Sequence, residues 1–206
     1  VAYFLFLSGN SEAKTKEVIP LIPDQLNAWN PSEMQISGYL GDKINLCISE
    51  RIKKQDVDHL IEPFRSRNET RLWQTEFWGK WILSAIASYE YNRDPEMLAI
   101  IKNAVSGLLA TQTPDGYIGN YSKEAQLQHW DIWGRKYTLL GLLVYYDISA
   151  DAKALTAAQK LADHLLTQVG PAKVDIVKTG NYRGMPSSSI LEPMVLLYRH
   201  TGEMRY

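Results

Sequence analysis

One pattern recurs along this chain and limits what it can fold into. Tyr89 is followed five residues later by Asp94, and four later again by Leu98. Tyr146 leads in the same way to Asp151 and Leu155, and Tyr198 is followed at five by Glu203. The run from Leu98 reaches Leu108-Leu109 and Gln112; the run from Leu155 reaches Leu165-Leu166 and Gln168. Copies about 55 residues apart suit one helical hairpin per unit. Asp94-Pro95 and Asp151 are helix starts: a carboxylate oxygen accepts from free N–H groups, and proline suits the first helical position.

The two helices of a unit differ in kind. In the second helices, Leu98, Ile101, Val105 and Leu108, or Leu155, Ala158, Leu161 and Leu165, form one apolar stripe among charges, so these helices are half-exposed. The first helices carry charge-free stretches, Trp81–Tyr89 and Thr138–Tyr146, and read as buried nearly all round. Their charges and many aromatics crowd the N-terminal turns. Alternating buried and half-exposed helices fit an inner and an outer ring, an all-α fold of the α/α-toroid type; an open α-solenoid of the same hairpins is the alternative. A six-hairpin ring at this spacing needs roughly 330 residues, so 206 residues make an unclosed arc.

Composition excludes several classes. Lys plus Arg is 22 and Asp plus Glu is 23, a net charge of −1; with no basic run, nucleic acid is not an expected partner. The single cysteine, Cys47, excludes an internal disulfide framework and a multi-cysteine metal site, and is expected as a small buried hydrophobe. His59, His129, His164 and His200 have no metal-ligand spacing, and His164 is expected at the surface. Val1–Leu7 is apolar but too short to span a membrane. It reads equally as the end of a secretory signal, which would place the protein in the periplasm or outside the cell, or as a buried strand or helix start. Residues 1–37 form a lead-in and 38–206 the toroid part. A helix is expected from about Leu46 to Leu60, ended by Glu62-Pro63-Phe64.

The densest chemistry is His129-Trp130-Asp131-Ile132-Trp133-Gly134-Arg135-Lys136-Tyr137. Trp130 and Trp133 share a helix face, and Asp131 and Arg135 are spaced to pair. Trp rings cover the apolar face of a sugar while charged groups bond its hydroxyls; a packed Trp pair beside a helical ion pair is the plain alternative. A second cluster holds Trp73, Glu76, Phe77, Trp78, Lys80 and Trp81. The Pro114-Asp115-Gly116 turn leads to Tyr117 and Tyr121, which either line a cleft or pack the loop down. Gly180–Pro186 holds the corresponding place before the third inner helix, where Ser187, Ser188 or Ser189 is expected to cap and Glu192 sits one turn in. The inner helices' N-termini bring their positive dipole ends to the same face. The candidate sugar-binding residues are therefore Glu76, Trp78, Tyr117, His129, Trp130, Asp131, Trp133, Arg135 and Glu192.

Several strings occur in a telling order: Pro63-Phe64-Arg65, Glu76-Phe77-Trp78-Gly79-Lys80-Trp81, Gln112 with Asp115–Gly119, Trp130–Tyr137, and Gly184-Met185-Pro186 with Ile190–Pro193. Across residues 38–206 the chain resembles the N-terminal half of the catalytic domain of glycoside hydrolase family 127, the β-L-arabinofuranosidase-like (former DUF1680) group. The resemblance implies an (α/α)6 barrel and retaining hydrolysis of a terminal arabinofuranose or related sugar of plant-type glycans. It also implies a zinc-bound cysteine nucleophile and a glutamate acid/base, both beyond Tyr206, so that no residue here takes a catalytic role and zinc belongs to the full-length protein. Cys47 does not match the nucleophile. At Trp130–Gly134 the chain departs from the His-Glu-x-Tyr-Cys-type string of characterised arabinofuranosidases, so hydrolysis is implied more firmly than the sugar. A non-catalytic glycan-binding toroid, and a lyase or unsaturated-uronyl hydrolase on the same fold, are the rival readings.

Overall fold

A computed structural model describes Val18, Ile22, Leu26 and residues 28–206. The apolar Val1–Leu7 run lies outside the described residues. Helix α1 (Gly38–Cys47) continues through a wider π turn to Ile52. It is followed by α2 (Val57–Ser66), α3 (Thr75–Asn92), α4 (Pro95–Leu109), α5 (Asp131–Ser149), α6 (Ala152–Gln168), the short α7 (Met185–Ser188) and α8 (Leu191–Thr201). Among the described residues the remaining regular structure is short 3-10 turns and two isolated bridges, Glu69–Tyr121 and Val169–Val174.

The repeat is a helix-ending device. Arg93, Ala150 and Gly202 each adopt left-handed backbone, and each donates its N–H back to the carbonyl of Tyr89, Tyr146 or Tyr198, at 2.7, 2.8 and 2.8 Å. This satisfies a terminal carbonyl and turns the chain sharply. The residue after it starts the next helix: Asp94 accepts from Glu96 N at 2.9 Å and Asp151 from Lys153 N at 2.9 Å. Hairpins α3–α4 and α5–α6 follow from these caps.

Helix α3 is buried on nearly every side. Before its last residue, Asn92, its exposed residues are Phe77, Lys80, Ser84 and Ala87, which fall on one line at three- and four-residue spacing. That is the expected state of an inner-ring helix with a neighbour on each flank and an outer helix behind. The α4 and α6 stripes around Ile101, Leu108, Leu161 and Leu165 are buried, as expected of an outer ring.

Helices α3 and α5 pack closely because glycine lines their contact. A Cβ on Gly134 would sit 2.0 Å from Thr75 Oγ1, one on Gly79 2.7 Å from the Tyr137 carbonyl oxygen, and one on Gly141 2.6 Å from Ile82. The glycines of the Trp-Gly-Lys and Trp-Gly-Arg strings are thus needed for this approach.

Several local expectations change. The helix expected over 46–60 is two helices broken at residues 53–56, and α2 runs through Pro63 to Ser66. Its burial outweighs the local proline rule: Phe64 is fully buried and packs edge-on against Trp78, centroids 6.4 Å apart. Ser187 and Ser188 lie inside α7, and α8 begins at Leu191, where Ile190 holds the capping position and offers no side-chain cap. Cys47 is exposed, because the open face of α1 carries it. His164 is buried: it faces the loop after α4, between Asp115 and Arg135.

Candidate active-site face

The N-terminal ends of α3, α5 and α8 gather most of the candidate residues, and they divide into a buried layer and an open layer.

The buried layer centres on Asp131, in the first turn of α5 and 3% exposed. Its Oδ1 accepts from Tyr117 Oη at 2.7 Å and Arg135 Nε at 3.2 Å, its Oδ2 from Leu127 N at 2.8 Å and Arg135 Nη2 at 2.5 Å. Arg135, 1% exposed, also donates to Gln168 Oε1 at 2.7 Å, and its guanidinium lies 4.6 Å from the Tyr117 ring centroid. Gln168 in turn donates to Gln126 at 2.8 Å. Tyr117 Oη accepts from Tyr121 N at 3.1 Å, and Tyr121 Oη donates to the Leu72 carbonyl at 2.8 Å. Burial, reinforced by the Asp131 charge, holds the Tyr117 phenol well above its ordinary value, and burial pushes Tyr121 up to about 12. Both tyrosines therefore stay neutral, pin the 112–130 loop and leave the cleft unlined. Asp131 and Arg135 pair as their spacing predicts, but they face inward, where they meet α6 and the loop. Trp78 is also fully buried, packed against Phe64 and beneath Gly141. Trp78, Tyr117, Asp131 and Arg135 thus support the face from behind.

A second support precedes α3. Glu69 accepts from the backbone N–H groups of Thr70, Arg71 and Leu72 at 2.8, 2.7 and 2.9 Å, and from Gln74 Nε2 at 3.0 Å. Burial pushes its pKa up, but these donors outweigh burial and bring it to about 2.

The open layer is aromatic. Trp130 touches three rings edge-on: Trp73 at 5.8 Å, Trp133 at 6.1 Å and Tyr182 at 6.2 Å between centroids. Trp133 continues to Tyr137 at 5.1 Å. Charges stand among the rings. Glu76 accepts from Lys80 Nζ at 3.0 Å and from the Trp133 indole N–H. Lys136 lies 4.4 Å from the Tyr137 ring centroid and 3.4 Å from a Glu192 oxygen. His129 is half-buried beside Asn181, with Nδ1 3.3 Å from Asn181 Oδ1. Of the candidates, His129, Trp130, Trp133 and Glu192 share this open layer; Glu76 is itself buried, 8% exposed, and joins it through the Trp133 indole. Tyr182, Tyr137 and Lys136 join it although they are not among the candidate sugar-binding residues; Lys136 and Tyr137 end the dense His129–Tyr137 segment, and Tyr182 sits in the expected turn before the third inner helix. Such a surface suits carbohydrate: flat rings for C–H faces, with carboxylate and ammonium groups for hydroxyls.

The comparisons decide the family. The model of the β-L-arabinofuranosidase GH127 catalytic domain matches residues 10–206. The chain belongs to that family. A curated relative, the non-reducing end β-L-arabinofuranosidase of Bifidobacterium longum, is 25% identical over 140 residues, which cover 62% of this chain and 20% of that protein. The chain thus spans about a fifth of the length of the curated relative it matches. Among solved structures, a GH127 β-L-arabinofuranosidase from Geobacillus stearothermophilus superposes with a TM-score of 0.57 at 22% identity, covering 79% of this chain and 27% of that one. A structure described as a glycoside hydrolase gives 0.53 at 18%, covering 83% and 24%. These likenesses carry the fold: the hairpins of this chain are an arc of the family's α/α toroid. Among the described residues no three His, Cys, Asp or Glu side chains converge as metal ligands, and no helix is long and apolar enough to cross a membrane.

Proposed function

We propose that the full-length protein is a glycoside hydrolase that releases a terminal L-arabinofuranose or a closely related sugar from plant-type glycans, and that this chain supplies one wall of its pocket. The observation that carries the reading is the half-buried end of the open layer. There the Glu76 carboxylate, the Trp133 indole and the Lys136 ammonium meet at the N-termini of α3 and α5. Trp133 offers a face for the sugar ring, and Glu76 and Lys136 offer an acceptor and a donor for its hydroxyls. The helix dipoles there favour partial negative charge. In this reading the nucleophile, the acid/base and any zinc ligands stand outside this chain, and the 206-residue chain alone is inactive.

The test is arabinose release from p-nitrophenyl β-L-arabinofuranoside by the full-length protein. Glu76→Gln and Trp133→Ala should each lower kcat/KM at least tenfold. Unchanged kinetics in both variants would remove the assignment of this wall. Failure of the full-length protein on arabinofuranosides and on uronate-containing glycans alike would remove the hydrolase reading. Hydrolysis by the isolated chain would overturn its inactivity.

A further inference from the structure

The aromatic surface continues past the half-buried end where the terminal sugar is placed. Trp73, on the loop before α3, is 43% exposed, and Tyr182, on the loop before α7, is 73% exposed. Both pack against Trp130, which lies between them and Trp133.

The backbone that presents them is strained and braced. Leu127, His129, Tyr182 and Arg183 all have left-handed backbone, with φ of 66, 46, 50 and 54°. Unlike Arg93 and Ala150, they do not end an α-helix. A non-glycine residue in that region costs about 1 kcal/mol or more and persists only where its surroundings enforce it. The bracing is visible. Gly180 N donates to the Leu127 carbonyl at 2.8 Å and Asn181 N to the His129 carbonyl at 3.1 Å. The two strained segments are thus clipped together, and the clip holds Tyr182 beside Trp130. On the other side, Glu69 fixes the Trp73 loop through its three backbone acceptor bonds.

We infer that Trp73, Trp130 and Tyr182 form a rigid platform for the sugars that follow the terminal one, so that the enzyme prefers a branch of at least two sugars to a lone glycoside. This rests on the glycosidase reading of the same face. The terminal residue occupies the half-buried end at Trp133 and Glu76, and the remainder of the branch runs out over the exposed rings. Rings held in advance lose little conformational entropy when a ligand stacks on them.

The experiment uses the full-length protein, a β-L-arabinofuranosyl oligosaccharide and methyl β-L-arabinofuranoside, whose aglycone is too small to reach the platform. Trp73→Ala and Tyr182→Ala change exposed positions, and thermal unfolding controls for folding. Each should lower the ratio of kcat/KM on the oligosaccharide to that on the methyl glycoside about tenfold, equal to about 1.4 kcal/mol. Tyr182→Phe, which keeps the ring, should hold the ratio within twofold of wild type. Ratios unchanged in both alanine variants would overturn the platform. If wild type hydrolyses neither compound, the glycosidase reading falls, and the platform is then read by tryptophan-fluorescence titration with the oligosaccharide. Saturable binding weakened about tenfold by both alanine variants supports it; absence of binding, or binding the variants leave intact, overturns it.

Discussion

The Asp131–Arg135 pair gives the sharpest test of how the face is supported, because the two partners are not equivalent. In Asp131→Leu the Arg135 charge, 1% exposed, keeps neutral neighbours alone, the Gln168 oxygen, the His164 ring and the Tyr117 ring face. Leaving a buried charge unpaired costs about 3–5 kcal/mol. Tyr117 Oη and Leu127 N lose their acceptor as well, so the expected loss is about 4 kcal/mol or more. In Arg135→Met the remaining carboxylate keeps two donors, Tyr117 Oη at 2.7 Å and Leu127 N at 2.8 Å. It also keeps the favourable dipole of the first helical turn, so the expected loss is about 2 kcal/mol. The double variant removes both charges and leaves only neutral groups unpaired, so it should cost about 3 kcal/mol, well short of the sum. Urea unfolding at neutral pH, followed by tryptophan fluorescence with matched m-values, measures the cycle. An additive cycle, or an Arg135→Met loss as large as that of Asp131→Leu, would refute the account of a buried pair held from the aspartate side.

Three further outcomes follow from the same geometry. Gly134→Ala should lose about 1–3 kcal/mol despite alanine's better helix propensity, because its Cβ meets Thr75 Oγ1; Thr75→Ala should recover part of the loss, and a neutral or stabilising Gly134→Ala in thermal unfolding contradicts the close approach. His164 has a depressed pKa because it is buried and faces Arg135, with Asp115 opposing. The unfolded chain therefore binds the proton first, stability is lost as pH falls below about 6.5, and His164→Gln should flatten the fall in Tm between pH 7 and 5. Glu69, held at about 2, contributes stability that is present above about 4.3 and is lost as pH falls toward 2. Glu69→Gln should therefore lower Tm at neutral pH and flatten the acid limb, whereas an unchanged limb would show that the backbone donors do not bind the charge.

The architecture was legible because one periodic device wrote it into the chain. A tyrosine carbonyl, a left-handed residue and a capping carboxylate recur at the hairpin turns, and the charge-free inner helices differ plainly from the striped outer ones. What could not be read was local chemistry settled by tertiary packing. Pro63 does not end α2, since burial of Phe64 rewards continuing the helix. The left-handed positions Arg93 and Ala150 carry no glycine to announce them. His164 looks like a surface residue on its own helix, and only the neighbouring loop and α5 bury it.

The string Trp130–Arg135 shows why a candidate site is harder to read than a fold. Spacing alone predicts that Trp130 and Trp133 share one direction and that Asp131 and Arg135 share another, and both pairings hold. Spacing cannot say which direction is open. The answer comes from residues far away in sequence: Tyr117, Leu127 and Gln168 supply partners that draw the charged pair inward, while Trp73 and Tyr182 arrive beside the tryptophans on braced loops. A carboxylate and a guanidinium in a tryptophan-rich motif suggest substrate contact, yet here both are buried, and the proposed sugar contacts fall to the rings. The charged pair is therefore expected to govern stability and the aromatic pair binding. Asp131→Leu should reduce sugar binding only to the extent that it unfolds the face, whereas Trp73→Ala should reduce binding with the melting temperature unchanged.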